Sequence, residues 1–91
     1  MKIQNMTSKC GREAPNQFII FDSEATYFQS YDSIVVKTCF EDSERKVYLD
    51  SNYWDYSVTT GKYRNQFLGE TKAETLKKIK SGEYVLTDLN S

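Results

Sequence analysis

The amino-acid sequence predicts an α+β domain, a four- to five-stranded antiparallel meander with one or two short C-terminal helices packed on one face. Three observations carry this reading. Short β-type runs alternate with turn residues at close spacing through the first fifty positions. The composition then shifts at Asp50 into an aromatic stretch, and beyond it helix start and stop signals bracket residues 71–82. A length of 91 residues fits one domain, mainly β over 1–50, with an aromatic connector, helices and a short closing strand over 51–91.

The first strand is expected over residues 2–8 and a polar loop containing Gly11 and Pro15 over 9–16. Residues 17–21 and 25–30 read as strands, separated by the turn Asp22-Ser23-Glu24. After the turn Tyr31-Asp32-Ser33, residues 34–40 form the strongest strand signal. There Ile34, Val36, Thr38 and Phe40 share one face, and Val35, Lys37 and Cys39 share the other, so the face without Lys37 should point inward. A charged turn, Glu41-Asp42-Ser43-Glu44, leads to a strand over 45–49 with Val47 and Leu49 inside.

Thr59 or Thr60 offers an N-cap for a first helix that places Tyr63 and Phe67 four apart on one face and ends at Gly69. Thr71-Lys72-Ala73-Glu74 has the pattern of a capping box for a second helix. Leu76 and Ile79 give that helix an apolar stripe, Glu74 and Lys78 stand at ion-pair spacing, and Gly82 ends it. Residues 84–86 should return as a closing strand, and 87–91 should fray. The expected core is Ile34, Val36, Phe40, Val47, Leu49, Phe67, Leu76 and Ile79. Five Phe, seven Tyr and one Trp offset the small size of that core, since each ring buries roughly 150 to 250 Å².

Charge is uneven along the chain. Residues 1–59 carry six basic and nine acidic side chains, residues 60–82 six basic and two acidic, and residues 83–91 two acidic alone. A basic segment thus sits inside an acidic chain with a pI near 5.4. The start Met1-Lys2-Ile3-Gln4-Asn5 lacks the apolar stretch of a signal peptide, and no run approaches the roughly 18 apolar residues of a membrane span. A cytoplasmic protein with Cys10 and Cys39 as free thiols is therefore expected.

The residues that would do chemistry are sparse. The sequence has no histidine, which removes the common triads, the commonest general base and the usual nitrogen ligand for zinc or iron. Two cysteines make a poor metal pair, and the four glycines form no phosphate-binding loop, so no cofactor or metal is expected. The acidic residues Asp22, Glu24, Asp32, Glu41, Asp42 and Glu44 fall in turns, where solvated carboxylates are ordinary. The expectation is a protein that binds, with no enzymatic activity.

Three surfaces are candidates for that binding. Tyr53, Trp54, Tyr56, Tyr63 and Arg64 supply the residue types that dominate protein interfaces, although Trp54 reads first as filling between sheet and helices. Lys62, Lys72, Lys77, Lys78 and Lys80, with Arg64, offer contacts to phosphates, but the low pI opposes a nucleic-acid role. Glu41, Asp42 and Glu44 offer an acidic surface that would compete for a basic cleft on a host protein. An exposed sheet edge also leaves a homodimer open.

The segments Thr26-Tyr27-Phe28-Gln29-Ser30-Tyr31, Tyr53-Trp54-Asp55-Tyr56-Ser57 and Thr60-Gly61-Lys62-Tyr63-Arg64-Asn65-Gln66-Phe67-Leu68, followed by residues 70–90, resemble a group of short bacteriophage-encoded proteins of unknown function. The resemblance implies a phage or prophage origin and carries no activity with it. Small phage proteins of this kind often inhibit or redirect a host protein, so it implies a host partner such as a defence nuclease or an anti-CRISPR-like role. A nucleic-acid-binding or regulatory protein using the basic helices is the alternative.

Overall fold

The computed structural model describes residues 2–8 and 10–90. Six strands form one sheet in the order of the chain: β1 (Lys2–Thr7), β2 (Glu13–Phe21), β3 (Ala25–Ser30), β4 (Ser33–Glu41), β5 (Glu44–Asp50) and β6 (Tyr84–Thr87). Between β5 and β6 lie α1 (Val58–Leu68) and α2 (Lys72–Ser81). The first five strands are antiparallel, as short hairpin links require. The two helices carry the chain back along the sheet before it re-enters, so β6 runs parallel to β5. The expected α+β architecture is present, with six strands in place of the four or five predicted and with β6 as the one departure from an antiparallel meander.

The core lies between the sheet and the helices. Phe28, Val36 and Leu49 stand side by side on adjacent strands and are completely buried. Phe67 of α1 stacks on Phe28 with ring centres 5.8 Å apart, so the predicted Tyr63 and Phe67 face is the one that packs. Ile79 packs against the same cluster from α2. The opposite face of the sheet carries a row in register across all six strands, Ile3, Ile20, Tyr27, Lys37, Tyr48 and Val85, and Lys37 Nζ lies 5.7 Å from the Tyr48 ring centre.

Several expectations are corrected. The loop over 9–16 is shorter than predicted, because β2 begins at Glu13 and Ala14 is buried; Lys9 lies outside the described residues. Pro15 is accommodated there by an irregular register between Asn5 and Thr7 and by a left-handed Asn16. Strict alternation in β4 fails where Phe28 pairs with Val36 but Gln29 pairs with Ile34. This bulge inserts Val35, and Val35 and Val36 are both buried while Ile34 is left half-buried. Phe40 follows the predicted parity yet is 75% exposed, since it pairs with Arg45 beside the β4–β5 turn, where no helix covers the sheet. That turn holds Asp42 and Ser43 at positive φ, the conformation that matches the twist of a two-residue hairpin.

In the helical third, Ser57 is the N-cap of α1 in place of Thr59 or Thr60, and Gly69 and Gly82 close the two helices in left-handed conformation as expected. Both halves of the Thr71 and Glu74 capping box are formed. Glu74 is therefore engaged at the cap, and Lys78 pairs instead with Glu70 at 2.8 Å. Glu70 also accepts from Thr75 and from Tyr84 Oη, which ties α2 to β6. Leu76 is 36% exposed, and the fully buried residue of α2 is Thr75, which turns toward Glu70. The tail does not fray through residue 90. Asn90 clasps the backbone of Ile34, accepting its N–H at 2.7 Å and donating to its C=O at 2.9 Å. Ser91 lies outside the described residues. No helix among the described residues is long and apolar enough to cross a membrane.

Candidate cationic cleft

The C-terminal end of β5 builds one end of the molecule. Asp50 is completely buried and its carboxylate joins two segments that are distant in sequence. Oδ2 accepts from the amides of Asn52 and Tyr53, both at 3.0 Å, while Oδ1 accepts from the Leu89 amide at 2.8 Å and from Asn90 Nδ2 at 3.0 Å. The Asp50 carbonyl accepts the Trp54 amide at 2.9 Å. The aromatic connector is consequently a set of turns fixed at its origin, and it places Trp54 and Asp55 against α1.

Arg64 of α1 meets that connector. Its Nη1 donates to the Trp54 carbonyl at 2.6 Å and lies 3.4 Å from Asp55 Oδ1, and Nη2 donates to Asn65 Oδ1 at 2.9 Å. The guanidinium carbon stands 5.2 Å from the Trp54 ring centre, within cation–π range. Only 1% of the Arg64 side chain is exposed, yet its Nε–H has no acceptor among the described residues. Asp55 also receives Lys72 Nζ at 2.7 Å from the start of α2. The Lys72 hydrogen bond, aided by Arg64, holds the Asp55 carboxyl below its usual range against a smaller opposing effect of burial.

These residues border an open cleft of about 930 Å³ that runs from the end of β1 to the starts of α1 and α2. Lys62, Arg64, Lys72 and Asp55 supply its charge, and Ser57 and Val58 bring the N-terminus of α1 to its wall. Gln66 crosses to β1, donating to the Thr7 carbonyl at 2.8 Å. Exposed Lys62 and Lys72 and the buried Arg64 line the cleft with one carboxylate, Asp55, and the first turn of α1 has no acidic residue. The positive end of the helix dipole therefore adds to the field of the side chains.

The candidate residues are distributed unevenly around this cleft. Lys62, Arg64 and Lys72 come together in it. Tyr63 is not at the surface; it lies in the core because it projects from α1 toward the sheet. Arg64 is likewise interior, held by the connector. Trp54 and Tyr53 pack partly against the core, whereas Tyr56 is 66% exposed and contacts Tyr53 at 5.5 Å between ring centres. Lys78 is engaged with Glu70, while Lys77 and Lys80 are exposed on α2 away from the cleft.

Glu41, Asp42 and Glu44 gather in the β4–β5 hairpin at the other end of the strands, where Glu41 and Glu44 are register partners. Glu41 accepts from Tyr48 Oη at 2.9 Å and Glu44 pairs with Lys46 at 3.3 Å. Asp22 and Glu24 border a groove with Glu41 at that same end. No group of three or more potential ligands for a metal ion occurs among the described residues. Sequence reasoning missed Asp50 and Ser57. The run Asp50-Ser51-Asn52 carries the signal of an Asx turn, in which a carboxylate accepts an amide two residues on, and that signal identifies Asp50.

Fold and cleft together define a small α+β protein with an acidic hairpin at one end of its sheet and, at the other, a cleft lined by Lys62, Arg64, Lys72 and Asp55. The model of a family of unknown function (DUF8033) matches residues 1–83, and the chain belongs to that family. The match spans β1 through α2 and stops one residue short of β6. Comparison with curated proteins returns no match, and comparison with solved structures returns none either.

Proposed function

We propose that this chain is a non-enzymatic accessory protein of bacteriophage origin that binds and inhibits a host protein in the cytoplasm of the infected cell. The target class is an antiviral defence component such as a CRISPR effector. The observation that carries the reading is the cationic cleft, a concave, charged surface fixed by the buried Arg64 and Asp50 contacts rather than by a mobile loop. Pre-organised charge of this kind favours partner recognition, because little ordering is required on association. Asp55 is held in its charged form by Lys72, which suits it to pairing and not to proton transfer near neutral pH. The phage assignment draws on the resemblance of the connector and α1 sequences described above.

Affinity capture from bacterial lysate, with and without nuclease, tests the proposal. A single host protein retained after nuclease treatment is the expected result, and capture of nucleic acid alone would reject it. The exposure of Lys77 and Lys80 favours a second reading, direct nucleic-acid binding along α2. For that reading a mobility shift of DNA or RNA at low salt, weakening steeply as salt rises, is the required outcome.

A further inference from the structure

We infer that the cleft docks an acidic segment of a protein partner, a short run of Asp and Glu side chains whose carboxylates settle on Lys62 and Lys72 beside the N-terminus of α1. The inference rests on the binding role proposed above and assigns it a surface and a chemistry. Four observations support it.

The cleft is lined by two exposed lysines, Lys62 and Lys72, and by the buried Arg64, against the single carboxylate of Asp55. The Ser57 hydroxyl caps the Thr60 amide at 3.1 Å, but the first four amides of a helix have no partner within it, so one cap leaves capacity for a ligand oxygen. Arg64 borders the cleft with a buried Nε–H that lacks an acceptor among the described residues, and an incoming carboxylate is a candidate for that role. Finally, Asp55 already performs this chemistry from within the chain, bridging Lys72 at 2.7 Å and Arg64 at 3.4 Å. Both ends of the Asp55 and Lys72 pair are substantially solvent-exposed, so an incoming carboxylate can exchange with Asp55.

A peptide suits the site better than a nucleic acid. Tracking a phosphate backbone needs a row of available cations. Here Lys78 is engaged by Glu70, Lys77 and Lys80 lie outside the cleft, and the net charge of -1 opposes a long polyanion. A cleft of about 930 Å³ accommodates a few residues of extended chain.

The test uses the full chain with two fluorescent probes at low salt, an eight-residue peptide of alternating Asp and Glu and a twelve-nucleotide single-stranded DNA. Binding of the peptide should weaken at least tenfold in the Lys62→Glu, Lys72→Glu double variant and stay unchanged in Lys77→Glu, Lys80→Glu. It should strengthen in Asp55→Asn, which removes the internal competitor. Thermal melts monitor folding, and Lys62→Gln with Lys72→Gln replaces the reversal if the first variant does not fold. Equal peptide affinity in wild type and the cleft variant overturns the inference, as does tighter binding of the DNA. Concentration-dependent self-association abolished by Lys72→Glu also overturns it, since the occupant would then be the acidic hairpin of a second copy. If the cleft variant loses the peptide but still captures the host protein, the acidic-segment docking fails while the binding role stands. If wild type captures no host protein yet binds the peptide at the cleft, the proposed function fails instead.

Discussion

Arg64 holds Trp54 twice, donating to its backbone carbonyl at 2.6 Å and placing its charge 5.2 Å from the centre of its ring. One side chain of α1 thus fixes both the path and the face of the connector. The orientation of Asp55, and with it one wall of the cleft, follows from that contact. Replacement by methionine keeps most of the volume and removes the donors, leaving the Trp54 carbonyl and the Asp55 carboxylate without them. Arg64→Met should lose about 2 to 4 kcal/mol of stability in urea unfolding. The single Trp reports the change directly, as a shift in native-state fluorescence.

Asp50 gives the second prediction. Its buried carboxylate accepts four N–H hydrogen bonds, which join the connector to the tail. Asp50→Ala should cost at least about 3 kcal/mol, given roughly 1.5 to 3 for each hydrogen bond to a charged group and incomplete additivity. Amide exchange at Leu89 should accelerate more than exchange in β3, and equal acceleration at both would count against a local clasp.

Stability should also depend on pH at both extremes. Burial pushes the Glu70 carboxyl up, but hydrogen bonds from Lys78, Thr75 and Tyr84 outweigh it and hold the group below its ordinary value. Asp55 is lowered as well, chiefly by Lys72. Carboxyl groups lowered on folding contribute stability that is present above their unfolded values and lost as pH falls through the folded ones. The acid limb should therefore begin below about pH 4.3 and flatten in Glu70→Gln. Lys78 is raised by Glu70, and Tyr84 is raised by burial and then by Glu70, so their contribution is lost as pH rises past about 10. Thermal melts across the pH range, in wild type and the Gln variant, measure both limbs.

Gly61 offers a gain. It lies in the first turns of α1 with negative φ, and a Cβ added there would sit 3.6 Å from both Arg64 Nη atoms, an ordinary contact. Gly61→Ala should stabilise the protein by about 0.5 to 1 kcal/mol through helix propensity and the reduced entropy of the unfolded chain. A lower melting temperature would show that the cleft wall has less room than this spacing implies.

The two thiols should react at different rates. Cys39 is buried and its pKa is raised, by burial first and then by the Glu41 carboxylate that its Sγ approaches at 3.5 Å, whereas Cys10 is exposed. An aromatic disulfide reagent should titrate one thiol quickly and the second only as the protein unfolds.

How much of this was legible in the sequence depends on whether the cause is local. The Thr71 and Glu74 box and the glycine closures rest on neighbouring residues and formed as their patterns indicated, and a strand did form over 34–40, although its burial does not alternate strictly. Phe40 and Leu76 were misplaced because periodicity gives a face but not where the opposing layer stops. The bulge at Val35 depends on the register with β3, which no reading of β4 alone contains. Within the cleft, the cationic residue types were evident but the burial of Arg64 was not. A cation four residues from Thr60 reads as solvated until the connector is seen folded over it.

The parallel pairing of β6 has a consequence for synthesis. Because the last strand follows both helices, one edge of β5 has no neighbour until position 87 has left the ribosome, and Val47 and Leu49 wait beside it for Tyr84 and Leu86. During that interval a nascent chain offers an unpaired ladder to any passing polypeptide, and β6 acts as an intramolecular stopper that ends the exposure. Trimming residues 83–90 should leave that ladder open permanently, converting a discrete particle into one that sticks to its own kind.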